Sequence, residues 1–422
     1  MKKVSSLEIA SQMLNEVIYN NLTFSSCLKI YSQKYNLHKE EFSLASVLCG
    51  CELRHHLLFS ELIDIEFGEL PKECLIAFAL VLANGVFIKR IDEEEANLFL
   101  LKTLLANELH YNKEKLDSFF ANIFNSEHLI PNKYSKESID FLSLRYNTPK
   151  WLVKTWQKNF KNLTYKILKA NTKQPLNTIR LNPLLDTQVV KEDSIFEKTF
   201  ADEMLAYKGK APIKKQTYYI NGLIFPMKMS VKHVFENITL DSLKGIAVYQ
   251  GYPNNAYLEA IFNTSKHADI DIIVTSHQDY HEAKANIARF GLDKAKLYRS
   301  EASSIITCVS RKVDSFIVCP RSSNFDLLRS APDYFLRFNP ETFDSLIKEQ
   351  TESLKECSNF VEEGGQLIYL VPTISLKEGQ LLIRKFLENN KDFELKSERQ
   401  YFPFDPYDSC LYFALLMKRC NK

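Results

Sequence analysis

The chain has 422 residues, long enough for two or three domains, and its 25% charged and 45% hydrophobic residues are ordinary values for globular proteins. These values argue against a chain that is disordered throughout. The longest apolar stretch, Cys74 to Ile88, is short and contains Asn84 and Gly85, so it predicts a buried helix rather than a membrane span. Nine scattered cysteines and no apolar signal core predict reduced thiols and a cytoplasmic protein.

Residues 1–140 show the spacing of helices throughout. Leu7, Leu14 and Val17 belong to an apolar pattern of helical period. Asp92 is followed by three glutamates, which predicts an N-cap with an acidic first turn. We therefore expect a helical bundle in this part of the chain.

Residues 141–240 differ in charge from the rest of the chain. They hold 17 basic and 7 acidic residues, a net charge of +10, whereas residues 1–140 carry −6 and the last 182 residues carry −2. Aromatic residues lie among these cations: Trp151, Trp156, Tyr165, Tyr218 and Tyr219. Lysine and arginine bind phosphates and aromatic rings stack on unpaired bases, so we favour RNA binding over a merely solvated surface. Asn221-Gly222 between two apolar runs predicts a β-hairpin.

Residues 241–422 alternate between strand and helix patterns. The candidate strands are short apolar runs: Gly245–Tyr249, Ile270–Thr275, Ser315–Cys319, Gln366–Val371 and Leu411–Leu416. The candidate helices lie between them: Glu282–Arg289, Glu341–Val361 and Leu376–Glu388. Alternation of this kind predicts a doubly wound, mostly parallel sheet.

Several segments along the chain occur in an order and spacing that resemble one known family. They are Tyr146–Trp156, Ile179–Leu184, the set Arg337, Pro340, Glu341 and Gln350, Glu363–Tyr369, and Asp408–Leu416. Together they resemble the RsmB-like branch of the NOP/Sun RNA cytosine-C5 methyltransferases. The resemblance implies a NusB-like helical domain at 1–140, a small basic α/β linker domain at 141–240 and a Rossmann-like class I methyltransferase domain at 241–422. It also implies S-adenosylmethionine as cofactor and ribosomal RNA as partner.

The resemblance breaks at the residues that would carry the chemistry. The family uses two cysteines and an aspartate, and the matching positions here are Pro372 for the nucleophile, Arg321 for the second cysteine and Val318 for the aspartate. Neither arginine nor proline can form the covalent adduct, so no catalytic residue is intact. Cys319 is close to this motif. It is either a relocated nucleophile or a buried inert thiol, and we favour the thiol.

The cofactor-binding loop is also altered. The stretch that matches the family's glycine-rich loop contains Gly251, Pro253, Asn254, Asn255 and Ala256. Asn254 and Asn255 replace a glycine pair that lets the backbone approach the ligand, and Ala256 replaces a lysine. The family's ribose carboxylate would fall near 274–276, where there is none, although Asp279 follows a few residues later. We therefore expect weak or absent cofactor binding.

Two histidine-containing groups raise the question of a metal site. Cys49, Cys51, His55 and His56 have a spacing that fits no common zinc pattern, and one helix cannot aim all four at one centre. His277 and His281 lack a clear third ligand. We expect no metal.

The first functional hypothesis is therefore a catalytically inactive homologue that binds ribosomal RNA. Its candidate RNA contacts are Lys150, Trp151, Lys154, Lys158, Arg180, Lys214 and Lys215. One alternative is an active S-adenosylmethionine-dependent rRNA methyltransferase with relocated residues. Another is a protein-interaction or antitermination module, which the acidic helical part slightly favours. No membrane partner is expected.

Overall fold

The computed structural model describes residues 4–110, 112–240, 242–252, 254–264, 268–292 and 295–420. Contacts divide the chain into two compact units. Unit 1 comprises Met1–Lys173 and Leu327–Phe338, and unit 2 comprises Gln174–Asp326 and Asn339–Lys422. The division at 173/174 falls within the predicted middle domain at 141–240. The limits of the three domains therefore remain a prediction.

Unit 1 is helical, as predicted. Its helices, numbered along the chain, are α1 Ser6–Ile18, α2 Phe24–Lys34, α3 Lys39–Phe67, α4 Lys72–Leu82, α5 Glu93–Ala106, α6 Lys113–Phe124, α7 Ile139–Arg145, α8 Lys150–Phe160, α9 Leu163–Asn171 and α15 Tyr334–Arg337. Helix α5 begins at the predicted N-cap, where the Asp92 side chain accepts a hydrogen bond from the Glu94 amide at 2.8 Å. The apolar faces of α1, α3 and α4 supply most of one buried core.

The apolar stretch Cys74–Ile88 lies in α4 and a π-helical turn, Ala83–Ile88, and most of it is buried in this core. Of the helices that the structure describes, none is by itself long and apolar enough to cross a membrane. The bent pair Lys39–Phe67 and Lys72–Ile88 reaches that length and composition only when taken together.

Unit 2 contains a small antiparallel sheet. Its strands are β1 Thr178–Leu181, β2 Phe196–Lys198, β3 Met204–Tyr207 and β4 Ile224–Pro226, in the order β2-β3-β1-β4. The helices around it are α10 Gln188–Glu192, α11 Thr217–Ile220 and α12 Met229–Glu236.

The predicted hairpin at Asn221-Gly222 is wrong. The residues before it form helix α11, Asn221 ends that helix, and β4 pairs with β1. Gly222 does adopt the positive φ of 73° that the dipeptide predicted. A glycine with positive φ ends helices as well as joining strands, and here it does the former.

Unit 2 also contains a seven-stranded sheet. Its strands are β5 Gly245–Gln250, β6 Asp269–Val274, β7 Ala295–Arg299, β8 Val313–Cys319, β9 Val361–Val371, β10 Phe393–Tyr401 and β11 Leu411–Lys418. The order is β10-β11-β9-β8-β5-β6-β7, parallel from β9 to β7 and antiparallel at β10 and β11. The helices are α13 Ala256–Phe262, α14 His277–Phe290, α16 Phe343–Ser358 and α17 Gln380–Asn389. This confirms the predicted Rossmann-like fold.

Glycines 364 and 365 lie inside strand β9. Gly364 has a φ of 74°, and the pairing of β8 with β9 shifts register across this point. A Cβ on Gly365 would lie 2.9 Å from the carbonyl oxygen of Asp314, so the neighbouring strand leaves no room for a side chain. The pair forms a β-bulge.

Candidate functional site

The order of the large sheet reverses between β5 and β8. The chain runs outward from β5 to β6 and β7 and then returns to β8 on the other side of β5. Ligands of open α/β sheets bind beyond the carboxyl ends of the strands at such a point. The loops that follow β5 and β8 contain the predicted cofactor and catalytic positions, so the fold brings both sets to this edge.

Gly251 holds the two loops together. Its amide donates to the Cys319 carbonyl oxygen at 2.7 Å. A Cβ at this position would lie 2.5 Å from the Arg321 amide nitrogen, so only glycine permits the approach. Gly251 therefore allows close contact between the loops that follow β5 and β8.

The two asparagines of the cofactor loop use their side chains within the fold. The Asn254 Oδ1 accepts from the Ala256 amide at 2.9 Å, at the start of α13. Asn255 has a left-handed φ of 57°, and its Nδ2 donates to the Pro226 carbonyl oxygen at 2.8 Å. Pro253 lies outside the described residues. Asn254 and Asn255 therefore occupy the positions at which the resemblance implies two glycines whose backbone contacts the ligand.

The loop after β6 offers no free carboxylate for a ribose. Ser276 caps helix α14, accepting from the Asp279 amide at 3.0 Å and donating to the Asp279 Oδ2 at 2.5 Å. Asp279 is thus part of a helix cap. With the asparagine pair and Ala256, the residues present do not fit S-adenosylmethionine as the resemblance would bind it.

The three catalytic positions hold no nucleophile. Val318 and Pro372 are buried, whereas the Arg321 side chain is 61% exposed. Arg321 makes two hydrogen bonds to Glu349, from Nε to Oε1 at 2.8 Å and from Nη2 to Oε2 at 2.6 Å. Two-point pairing of this kind fixes the guanidinium in place.

A buried carboxylate that sequence reasoning missed joins the two catalytic loops. Glu378 is fully buried and accepts hydrogen bonds from the Ser323 amide and hydroxyl, at 2.7 and 2.5 Å, and from the Thr373 hydroxyl at 2.6 Å. Gln350 Nε2 donates both to Glu378 Oε1 and to the Arg321 carbonyl oxygen, each at 2.9 Å. Burial raises the pKa of the Glu378 carboxyl. A single glutamate outside any periodic pattern gave no signal of this role.

Cys319 is a buried thiol at the end of β8. Its side chain belongs to the core of unit 2, and burial raises the pKa of the thiol to about 12. The thiolate is the nucleophilic form, so this environment opposes nucleophilic use. The geometry agrees with the inert reading of Cys319.

In the folded protein at pH 8, we expect iodoacetamide to modify the exposed Cys420 and to leave Cys319 unmodified. A thiol with a pKa of about 12 is only about one part in ten thousand thiolate at that pH. Peptide mass spectrometry over a time course measures both rates, with the urea-unfolded protein as the control in which both react. Comparable rates in the folded protein would contradict the inert reading.

The predicted lysines of α8 share one exposed face. Lys150, Lys154 and Lys158 are four residues apart and exposed, while Leu152, Val153 and Trp156 are buried. Lys150 Nζ lies 2.5 Å from Asp140 Oδ1, and within the described chain Lys154 and Lys158 have no carboxylate within 4.0 Å. We call Lys150, Lys154 and Lys158 the lysine face.

The aromatic residues divide into surface and core. Trp151 is exposed beside the lysine face and stacks on Phe338 with ring centroids 5.6 Å apart, and Tyr165 is also exposed. Trp156 and Tyr219 are buried, so the expectation that they stack on bases is wrong. Trp156 shares a helix face with the buried Leu152 and Val153, and Tyr219 belongs to the buried core beside the small sheet.

The candidate RNA contacts in unit 2 are mostly paired with carboxylates. Arg180 is buried, with Nε 2.6 Å from Glu259 Oε1 and Nη2 2.8 Å from Glu203 Oε2. Arg180 is part of a buried ion pair and is not available at the surface. The prediction that it contacts RNA is therefore wrong. Lys214 Nζ lies 2.6 Å from Glu282 Oε1, and Lys215 is exposed.

The histidine and cysteine groups have other partners. The Cys49 Sγ lies 3.4 Å from the Ala10 carbonyl oxygen, and His56 Nδ1 lies 2.6 Å from Glu52 Oε1. His55 stacks on Phe87, with centroids 4.1 Å apart. Across the part of the chain that the structure covers, no group of three or more His, Cys, Asp or Glu side chains is placed to hold a metal ion.

Comparison with known proteins agrees with the fold. Residues 256–404 match the family described as 16S rRNA methyltransferase RsmB/F. The chain is 23% identical over 270 residues to the probable ribosomal RNA small subunit methyltransferase B of Bacillus subtilis (strain 168), which covers 60% of this chain and 58% of that protein. The match thus spans less than two thirds of that relative.

Two solved structures show the same fold. The crystal structure of PH0851 covers 99% of this chain and 100% of its own, with a TM-score of 0.76 and 16% identity. NSun6 from Pyrococcus horikoshii, solved with SFG, covers 65% of this chain and 99% of its own, with a TM-score of 0.56 and 13% identity. The chain is thus similar to the RsmB/F family over residues 256–404, and it shares the fold of these two solved structures.

Proposed function

We propose that this protein binds ribosomal RNA and does not methylate it. The observation that carries the proposal is the chemistry of the switch-point edge. Arg321 and Pro372 stand where the family's cysteines are expected, and the one cysteine nearby, Cys319, is buried with a raised pKa. Covalent activation of a cytosine requires a thiolate that can reach the base. The described residues of this edge supply none.

The state of the cofactor loop supports the same proposal. Asn254 and Asn255 bond within the fold, and Asp279 is part of a helix cap. S-adenosylmethionine bound at this edge would lack contacts to the glycine backbone, to the lysine and to the ribose carboxylate that the resemblance implies. Each charged hydrogen bond contributes about 1.5–3 kcal/mol, so these losses lower affinity by several powers of ten.

The lysine face supports RNA binding. Three lysines on one side of α8, with the exposed ring of Trp151 beside them, combine phosphate-binding cations with a surface for base stacking. The opposite side of α8 is buried, so the helix that carries these lysines is held in place by the core.

Replacing Lys150, Lys154 and Lys158 together by glutamine is expected to weaken binding to a 16S rRNA fragment and to flatten the slope of log K against log salt. Each lost phosphate contact reduces that slope by about 0.7–0.9. Filter binding between 50 and 200 mM salt, about the range over which such slopes are resolved, measures the effect.

The matched control replaces Lys29, Lys39 and Lys102, which are exposed lysines of the same unit outside the lysine face. This triple variant removes the same charge and should keep the wild-type slope to within about one phosphate contact. Equal losses in the two triple variants would show that RNA responds only to net charge.

A second candidate is an active S-adenosylmethionine-dependent methyltransferase. One observation favours it: the buried Gln250 Oε1, at the same edge, has no hydrogen-bond partner in the described structure. Such atoms are normally satisfied by water or a ligand. Calorimetric titration with S-adenosylmethionine separates the candidates, because the second requires micromolar affinity, about −8 kcal/mol, and the first does not.

A further inference from the structure

Unit 1 encloses a small cavity of about 130 Å³ that is rich in cations. Its lining comes from α3, the α7–α8 connection, the end of α9 and the segment Leu327–Phe338, all within unit 1. Three arginines, Arg54, Arg145 and Arg329, line it together with His55. No carboxylate is among its described lining residues. The described lining residues thus include three cationic side chains and no acidic one.

Two of these guanidinium groups lack acidic partners. Within the described ranges, Arg54 and Arg145 have no carboxylate within 4.0 Å, and Arg54 Nη1 donates to the Gly50 carbonyl oxygen at 3.1 Å. Burial lowers the pKa of Arg54, which means that its charge is kept at a cost. Arg54 is partly buried, and a partly buried cation without a counter-ion is expensive in a folded protein; an anion in the cavity would offset that cost.

His55 does not add charge to the cavity at neutral pH. Burial and the neighbouring Arg54 and Arg145 lower its pKa to about 4. The neutral imidazole supplies one donor and one acceptor. The positive charge of the cavity thus comes from arginine, whose planar fork matches the oxygens of a phosphate.

An independent observation at the same cavity is the side chain of Asn171. Both its Oδ1 and its Nδ2 are buried and have no hydrogen-bond partner among the described residues. Asn171 is one of the lining residues. A buried amide left unsatisfied costs about 1–3 kcal/mol, so these atoms are expected to meet water or a ligand.

A larger cavity of about 390 Å³ adjoins the first and shares His55 and Arg145 with it. Its walls include the aromatic rings of Phe87, Tyr134 and Phe141, and Glu127 is the one carboxylate among its described lining residues. Phe87 is partly exposed and stacks on His55. A cationic cavity beside an aromatic one is suited to a phosphate joined to a flat ring.

We propose that these adjoining cavities bind a nucleotide, with its phosphate between Arg54, Arg145 and Asn171 and its base and sugar in the larger, aromatic-lined space. The nucleotide is either free or one unit of a single-stranded RNA, since both present the same group. The residues differ from those of the lysine face. The proposal therefore goes beyond RNA binding by that face and can succeed or fail separately.

The test is calorimetric titration of the full chain with adenosine 5′-monophosphate, with adenosine as the arm that lacks phosphate. Wild type is expected to bind the monophosphate at least about tenfold more tightly than adenosine, because a charge-assisted phosphate contact is lost. Arg145→Gln and Asn171→Ala should each weaken the monophosphate by about tenfold or more. Arg145 is exposed, so its variant should still fold.

The matched control is Arg90→Gln, which removes an exposed arginine of unit 1 that lines neither cavity, and it should bind as wild type does. The triple lysine variant should also retain monophosphate binding, which separates this proposal from the lysine face. A single-stranded RNA that displaces the monophosphate identifies RNA as the source, and one that does not identifies a free nucleotide. No phosphate preference in wild type, or an Arg145→Gln variant that binds like wild type, would overturn the proposal.

Discussion

Replacing Arg180 by alanine is expected to destabilise unit 2 by about 3–5 kcal/mol, the usual cost of leaving a buried charge without its partner. Arg180 and Glu259 are both buried and lie 2.6 Å apart, joining β1 to α13. The arginine also donates to the Leu181 carbonyl oxygen at 2.8 Å. Urea unfolding followed by circular dichroism measures the change in the free energy of unfolding.

The control is the double variant Arg180→Met with Glu259→Leu, which removes both charges and keeps apolar volume. A buried ion pair contributes little net stability compared with apolar residues of similar size. The double variant should therefore be more stable than Arg180→Ala alone. A loss below about 1 kcal/mol in the single variant would mean that Arg180 is reached by water, and would restore it as a surface RNA contact.

Replacing Glu378 by alanine is expected to destabilise unit 2 by about 2–4 kcal/mol, because each buried donor left without an acceptor costs about 1–3 kcal/mol. The donors are the Ser323 amide, the Gln350 side chain and two hydroxyls. Glu378→Gln keeps an acceptor oxygen in place and should be tolerated better. Chemical denaturation at neutral pH compares the two variants.

A comparison of wild type with Glu378→Gln also predicts how stability changes with pH. Burial raises the folded-state pKa of Glu378 above its ordinary value of 4.5. The folded state then binds the proton more tightly, so this group's stabilisation is present below pH 4.5 and is lost as pH rises through the raised pKa. Wild type should therefore lose stability relative to Glu378→Gln as the pH rises from 4.5 through the raised pKa. A difference that stays constant with pH would contradict the raised pKa.

Sequence patterns predicted most of the fold because most elements are amphipathic or apolar. The five central strands and the helices of unit 1 have buried faces that show as helical or strand patterns. Strands β7 and β10 were missed because both lie at edges of the sheet and lack a continuous apolar run: Ala295–Arg299 and Phe393–Tyr401. The Asn221-Gly222 error arose because one local signal serves two kinds of turn.

The site was predictable only in part. The resemblance placed Arg321, Pro372 and the altered loop at one edge, and the sheet order brings those segments together. It could not show that Arg180 is buried, because the charge of an arginine in a strand does not reveal which carboxylate folds over it. The polar network of Glu378 joins residues from 321 to 378, and the arginine-lined cavity joins residues from 54 to 335. Contacts at such separations follow from packing and leave no local pattern.

The central claim, that this protein binds RNA without methylating it, is tested most directly by transfer of a tritiated methyl group from S-adenosylmethionine to 16S rRNA. Three proteins are compared: wild type, Cys319→Ala, and a double variant with Arg321→Cys and Pro372→Cys. No incorporation above background is expected from any of them, because Asn254, Asn255 and Val318 leave the cofactor loop and the aspartate position altered even when the cysteines are restored. Incorporation by wild type that disappears in Cys319→Ala would contradict the claim and establish a relocated nucleophile.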